Sequence, residues 1–334
     1  MEHRIAGRAG LALAVVSAAT FGSSGAFATS LLDVGWSPGA AVTVRVLVAA
    51  AVLTVPALLQ LRGRRQQLRA GWPTLAVYGV AAVAGAQLCY FMAIEHLSVA
   101  VALLLEYSGA LLVVGWLWLR GGQRPRRLTV AGALLAVLGL VLVLDLLGDV
   151  ELSLVGVLWG LGAAVGLAAY FVVSAATEDG LPPLVVACGG LGVGGTVLLA
   201  AGATGLLSFE ATRADVTLLD AQVSWLVPVL GLSLVAAVVA YVTGIVAARV
   251  LGAKVASFVG LTEVLFAVGF AWLLLGEVLS PVQLVGGALV IAGIALVRLD
   301  ELGPPASASA TTGDTEDTGG ATAPAAPVTA LGRP

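Results

Sequence analysis

Long apolar runs, separated by short stretches rich in proline, glycine or charge, fill most of the first 300 residues. A helix crosses a bilayer with about 20 apolar residues, because the hydrocarbon core is about 30 Å thick and each residue adds about 1.5 Å. The sequence predicts ten such helices, over 9–28, 39–60, 72–93, 97–119, 128–147, 153–174, 182–204, 225–248, 254–275 and 281–298. The connectors, among them Trp36-Ser37-Pro38, Arg120 to Arg127 and Asp179 to Pro183, read as turns of helix hairpins. After Glu301 the chain changes to Pro, Ala, Ser, Thr and Gly with a few acids. Such a composition buries too little apolar surface to order itself, so 302–334 is expected to be a disordered cytoplasmic tail.

The ten runs form a duplication. Tyr90, a span holding Glu106, and then Leu117-Trp118-Leu119-Arg120 are answered by Tyr241, a span holding Glu263, and then Leu273 to Glu277. Each half next enters a glycine- and valine-rich helix, through Val130 to Leu134 in one and Val285 to Leu289 in the other. Five spans per half is an odd number, so the second copy must enter the membrane upside down relative to the first. The expected fold is an all-α membrane protein of ten transmembrane helices arranged as two inverted five-helix repeats, 8–147 and 153–298. Repeats of this kind build their sites near the midplane, where the two copies meet.

Composition agrees, with 60% hydrophobic and only 10% charged residues and a mean hydropathy of +1.06. A net charge of -3 gives no reason to expect a nucleic-acid partner. Location matters more than the sum. With a cytoplasmic N-terminus, Arg4, Arg8, Arg62, Arg64, Arg65, Arg69, Arg120, Arg124, Arg126, Arg127, Arg249, Lys254, Arg298 and Arg333 all fall on the cytoplasmic side, and Arg213 falls outside. Asp33, Glu95, Asp145, Asp149, Glu151, Glu210, Asp215 and Asp220 collect in the outer loops. The expectation is therefore a multi-pass protein of a bacterial-type plasma (inner) membrane with both termini cytoplasmic. Ala26-Phe27-Ala28 also fits a signal-peptidase site, but cleavage there would remove one member of the matched set of spans.

Two acids and one cation lie inside the spans. An acid at bilayer depth costs about 2.5 to 3.5 kcal/mol on insertion scales, so it is retained where it faces a polar cavity, finds a partner or carries protons. Residues three, four and seven positions away share a helix face. Glu106 thereby shares its face with Ala102, Gly109 and Ala110, and Glu263 shares its face with Ala256, Gly260 and Ala267. Small neighbours leave room for a ligand or a close helix, so both acids should point inward; the alternative is neutral interhelical glue. Arg45, in the second span, suits a substrate carboxylate or an acid, or else snorkels or bonds helix-end carbonyls. Because Arg45 belongs to the same repeat as Glu106, it is expected to keep that acid charged and leave Glu263 as the proton carrier. Tyr90, Tyr107, Tyr170, Tyr241 and Gln87 supply further donors, each with ordinary packing as its alternative.

Leu274 to Gly286, with the run Gly276-Glu277-Val278-Leu279-Ser280-Pro281 at its centre, and Arg45 in the second span resemble the drug/metabolite transporter superfamily, in particular chains carrying two EamA domains. The resemblance spans about residues 8 to 298. Leu104-Leu105-Glu106-Tyr107-Ser108-Gly109 and Thr262-Glu263 are similar to the branch that includes threonine and homoserine exporters, although Ala110 and Val264 stand where that branch often has proline soon after the acid. Arg120 stands where the second half has Glu277. The resemblance implies export of small metabolites, amino acids or related amphiphiles, driven by the proton gradient.

Other motifs carry less. Gly190, Gly192 and Gly195 match GxGxxG, but no strand precedes them and they sit in an apolar span. Gly22-Ser23-Ser24-Gly25 with His96 admits an intramembrane serine protease, in which His96 would have to reach the serine. Cys89 and Cys188 read as small core residues. No metal-binding cluster or ATP-binding loop is present, so no cofactor, metal or catalytic residue is assigned. The functional reading is a secondary transporter and not an enzyme, with a small-molecule substrate, protons and the bilayer as partners. A multidrug exporter and a non-transporting scaffold are the alternatives. Oligomeric state is left open, a homodimer included.

Overall fold

A computed structural model describes residues 2–63, 65–97, 99–121, 125–146, 153–176, 180–218, 221–275 and 280–302. The expected tail, and the part of the last hairpin that contains Glu277, lie outside these residues. Eight helices are long and apolar enough to cross a membrane. They are α1 (Ala6–Leu32), α2 (Pro38–Gln60), α3 (Trp72–Ile94), α4 (Val101–Arg120), α6 (Leu154–Ala175), α7 (Pro183–Ala203), α8 (Leu226–Gly260) and α10 (Pro281–Glu301). Two of the ten expected spans fall short of that standard. α5 (Arg127–Val143) has 17 residues, and the ninth span is divided between the end of α8 and α9 (Thr262–Leu275).

Helix ends follow local chemistry. Ser37 caps α2, its side chain accepting from the Ala40 amide, and Pro38 occupies the first turn, where a missing N–H costs nothing. At α10 the Ser280 hydroxyl accepts from the Gln283 amide at 3.2 Å while the Gln283 side chain accepts from the Ser280 amide at 2.9 Å, a reciprocal capping box. Inside α8, Gly252 adopts φ 78° and ψ 159°. That backbone is essentially restricted to glycine, and it makes the break expected between 248 and 254 a single residue.

Regular helix gives way to π-helix at matching places, Tyr78–Gly85 in α3 and Gly231–Val239 in α8. A short break likewise interrupts α4 at Ser108 and separates α8 from α9 at Leu261. The packing repeats as well: α1 lies along the second half of α8, α6 lies along α3, and α2 pairs with α7. α5 and α10 approach each other closely. A Cβ on Gly132 would lie 2.6 Å from the Gly293 carbonyl oxygen, and one on Gly139 would lie 2.7 Å from that of Gly286. The numbers fall on one helix as they rise on the other, so the pair runs antiparallel.

The all-α expectation needs one correction. The connector between α7 and α8 contains an antiparallel hairpin, β1 (Val216–Leu218) and β2 (Ala221–Val223), with Val216 opposite Val223. Val216 and Val223 pack with Leu31, Trp36 and Trp225, which gives these short strands the apolar support that an isolated hairpin lacks. The connector is also strapped to the α1–α2 turn. Trp36 Nε1 donates to the Thr212 carbonyl at 2.8 Å, Ser37 Oγ donates to the Ser208 carbonyl at 2.8 Å, and the Glu210 amide donates to Ser37 Oγ at 2.9 Å.

Candidate functional site

A cavity of about 660 Å³ occupies the middle of the bundle. Arg45, Gln87, Tyr90, Glu106, Tyr107, Tyr170, Tyr241 and Glu263, the eight residues expected from the sequence, all line it. They come from α2, α3, α4, α6, α8 and α9, so both halves of the chain contribute. The lining extends to Leu32, Pro38, Ile94, Leu144 and Gln283 at one end of the bundle. Toward the other end it stops at Ala14, Ala247 and Ala256, short of the helix ends at Gln60 and Asp300. The cavity is thus open at one end and closed at the other.

Arg45 is buried and spans the gap to α8, where Nη2 donates to the Ala236 carbonyl at 2.8 Å. Ala236 lies in the π-helical stretch, where widened turns offer carbonyls sideways. The guanidinium also sits 5.8 Å from the centre of the Phe21 ring, and its Nε has no hydrogen-bond partner. Both carboxylates line the same cavity, and among the described residues neither forms an ion pair with Arg45 within 4 Å. Tyr107, the sequence neighbour of Glu106, lines the same cavity as Glu263. Both acids are half-buried, in keeping with a cavity that reaches solvent.

The floor is aromatic. Tyr170 meets Phe171 edge-on at 4.9 Å, Tyr241 at 5.7 Å and Phe21 at 6.2 Å, with Tyr78 tilted beneath it at 5.9 Å. Phe21 and Phe171 line the cavity but carry no polar mark in the sequence, so nothing in an apolar run sets them apart. Gln283 was findable through its capping box with Ser280, and its Nε2 also donates to the Val143 carbonyl at 3.2 Å, joining α10 to α5 beside the mouth. Of the face-mates expected around Glu263, Ala256, Gly260 and Ala267 all line the cavity. Around Glu106, Gly109 instead serves a close contact, its position for a Cβ lying 2.6 Å from the Ala164 carbonyl oxygen on α6. Ser24 lines the cavity, but His96 is absent from its lining and directs Nδ1 at the Met92 carbonyl of its own helix.

A charged, aromatic cavity lined from both halves of the chain matches what the wider comparison returns. The EamA-like transporter family matches residues 8–145 and, a second time, 154–299. The chain belongs to that family. It is accordingly a multi-pass membrane protein of a transporter family and not an enzyme. No curated protein matches it in sequence. Among solved structures, one crystal structure of a protein superposes on this EamA-like chain with a TM-score of 0.67 at 20% identity, covering 90% of this chain and 98% of its own. At that identity the likeness concerns the fold alone.

Proposed function

We propose that this EamA-like transporter is a ten-span secondary transporter of two inverted five-helix repeats, which exports small metabolites, amino acids or related amphiphiles, in exchange for protons. Its place is a bacterial-type plasma membrane, with both termini cytoplasmic. The observation that carries the substrate reading is one cavity holding a buried guanidinium, two carboxylates and an aromatic floor. A guanidinium fork fits a carboxylate, a carboxylate fits an ammonium group, and aromatic faces accept an apolar side chain. Glu263 is assigned as the proton carrier, and Glu106 with Arg45 of the same repeat and Tyr107 as the substrate-holding set. The antiparallel α5–α10 contact supports the inverted arrangement. Under a duplication offset of 154, Gly132 maps onto Gly286 and Gly139 onto Gly293, so each touching pair is carried onto the other.

The test is flux into sealed proteoliposomes of labelled L-threonine and L-phenylalanine, with and without an imposed pH gradient. Uptake accelerated by the gradient is expected for at least one of them. Equal uptake by protein-free vesicles, for both compounds and in both gradient directions, refutes the reading. A multidrug exporter is favoured by one observation, the cavity's 660 Å³ with aromatic walls, a volume that admits drug-sized ligands. That reading requires bulky apolar cations to be carried whether or not they bear a carboxylate.

A further inference from the structure

Below the cavity floor a line of polar side chains continues toward the closed end. The Tyr170 hydroxyl sits in a notch at Gly244, where a Cβ would lie 2.0 Å from it, and it makes no well-formed hydrogen bond. The nearby Ser17 hydroxyl donates instead to the Ala240 carbonyl at 2.8 Å. Tyr78, fully buried against Gly190, accepts only a long bond of 3.4 Å from the Ser174 hydroxyl. Arg249 at the end of the line interacts electrostatically with Tyr78, and its buried Nε has no partner. A buried polar group left unpaired or weakly paired is destabilising, so phenylalanine at 78 and 170 would suit a permanently packed bundle better. On the opposite flank, α5 and α10 touch backbone to backbone, and Thr129 is hydrogen-bonded to Asp300. Among the described residues, that flank has no buried side-chain nitrogen or oxygen without a partner.

We infer that Tyr170 is the gate of the closed half of the route, and that the route continues between α3, α6 and α8, past Tyr78 and Ser174, to leave beside Arg249. The inference rests on the transport reading above. When Tyr170 swings out of the Gly244 notch, its hydroxyl comes to face water or cargo and gains the partner it lacks, and Tyr78 and Ser174 gain a second partner beside their one long bond. Tyr170 is a positioning residue here, since it acts by opening the way.

The experiment begins from a protein with Cys89 and Cys188 replaced by serine, carrying either Ser174→Cys or Thr129→Cys and reconstituted in vesicles. A membrane-impermeant cationic methanethiosulfonate is added to the face of the closed end, and L-threonine and L-phenylalanine flux is measured on the same preparations. Ser174→Cys should be modified and Thr129→Cys should not. Adding Tyr170→Phe, which removes the unpaired hydroxyl and so favours the closed form, should slow modification of Ser174→Cys by about tenfold or more. A merely structural Tyr170 would leave that rate unchanged. Where Ser174→Cys fails to insert, Ala248→Cys, fully buried beside Arg249, takes its place. Absent modification in a preparation that carries either amino acid overturns the inference, as does equal modification at Thr129→Cys. Modification without flux of either amino acid leaves the gate standing and counts against the proposed cargo.

Discussion

Adding a single methyl group at the α5–α10 crossing should push the two helices apart. In Gly139→Ala the new Cβ would lie 2.7 Å from the Gly286 carbonyl oxygen and 2.7 Å from the Val290 amide nitrogen. In Gly286→Ala it would lie 2.7 Å from the Gly139 carbonyl oxygen and 2.7 Å from the Val143 amide nitrogen. Ordinary contact begins near 3.4 Å, so the backbones must separate by about 0.7 Å, and backbone cannot rotate away as a side chain can. Overpacking of this kind costs about 1–3 kcal/mol. The better helix propensity of alanine returns up to about 1 kcal/mol, leaving a net loss of about 1–2 kcal/mol for either variant. Because both substitutions force the same separation, the double variant should cost less than the sum of the singles. Gly115→Ala and Gly192→Ala serve as controls, since nothing lies within 4 Å of either added Cβ; they should be neutral or stabilising. The assay is the thermal unfolding midpoint of purified protein in a single detergent. Gly139→Ala raising the midpoint as much as Gly192→Ala would refute the backbone-to-backbone crossing.

The remaining predictions concern the cavity and the topology. Glu263→Gln should insert and still exchange substrate down its own gradient while losing acceleration by an imposed pH gradient, whereas Glu106→Gln should mainly weaken binding. Gradient-driven flux persisting in both variants and in the double variant would reduce the acids to packing. Arg45→Lys keeps the charge but loses the planar two-pronged donor and the bond to Ala236, so apparent affinity should fall about tenfold or more with insertion intact; wild-type affinity would make Arg45 structural. Reporters placed between Arg64 and Arg65 and after Asp300 should read cytoplasmic and one near Thr212 should read external, and agreement between the Arg64 and Thr212 sites would end the inverted-repeat model.

Much of this architecture was legible because bilayer thickness imposes a length on every apolar run, and because an acid or a cation inside such a run stands out. All eight residues singled out for charge or hydroxyl chemistry meet in one cavity. The hidden parts share one physical origin, which is that they depend on contacts between distant elements. Arg45 was read beside Glu106 because they belong to one repeat, but the hydrogen bond it makes crosses to Ala236 of the other. The π-helical stretches were invisible because a widened turn alters hydrogen bonding without altering composition. β1 and β2 were missed because three-residue strands carry no measurable alternation, and their order comes from Trp36, Leu31 and Trp225 beneath them.

The strap from the α7–α8 connector to the α1–α2 turn makes that end of the molecule mechanically addressable. Thr212, Ser208 and Glu210 belong to the second repeat, Trp36 and Ser37 to the first, and their bonds pin the two together beside Pro38 and Leu32 on the rim of the cavity. An antibody fragment that grips β1, β2 and the exposed Asp33 together would hold both repeats at once from the aqueous side. It would set the width of the rim without entering the cavity, arresting the cycle in the state seen here while leaving the charged groups free to be titrated or loaded.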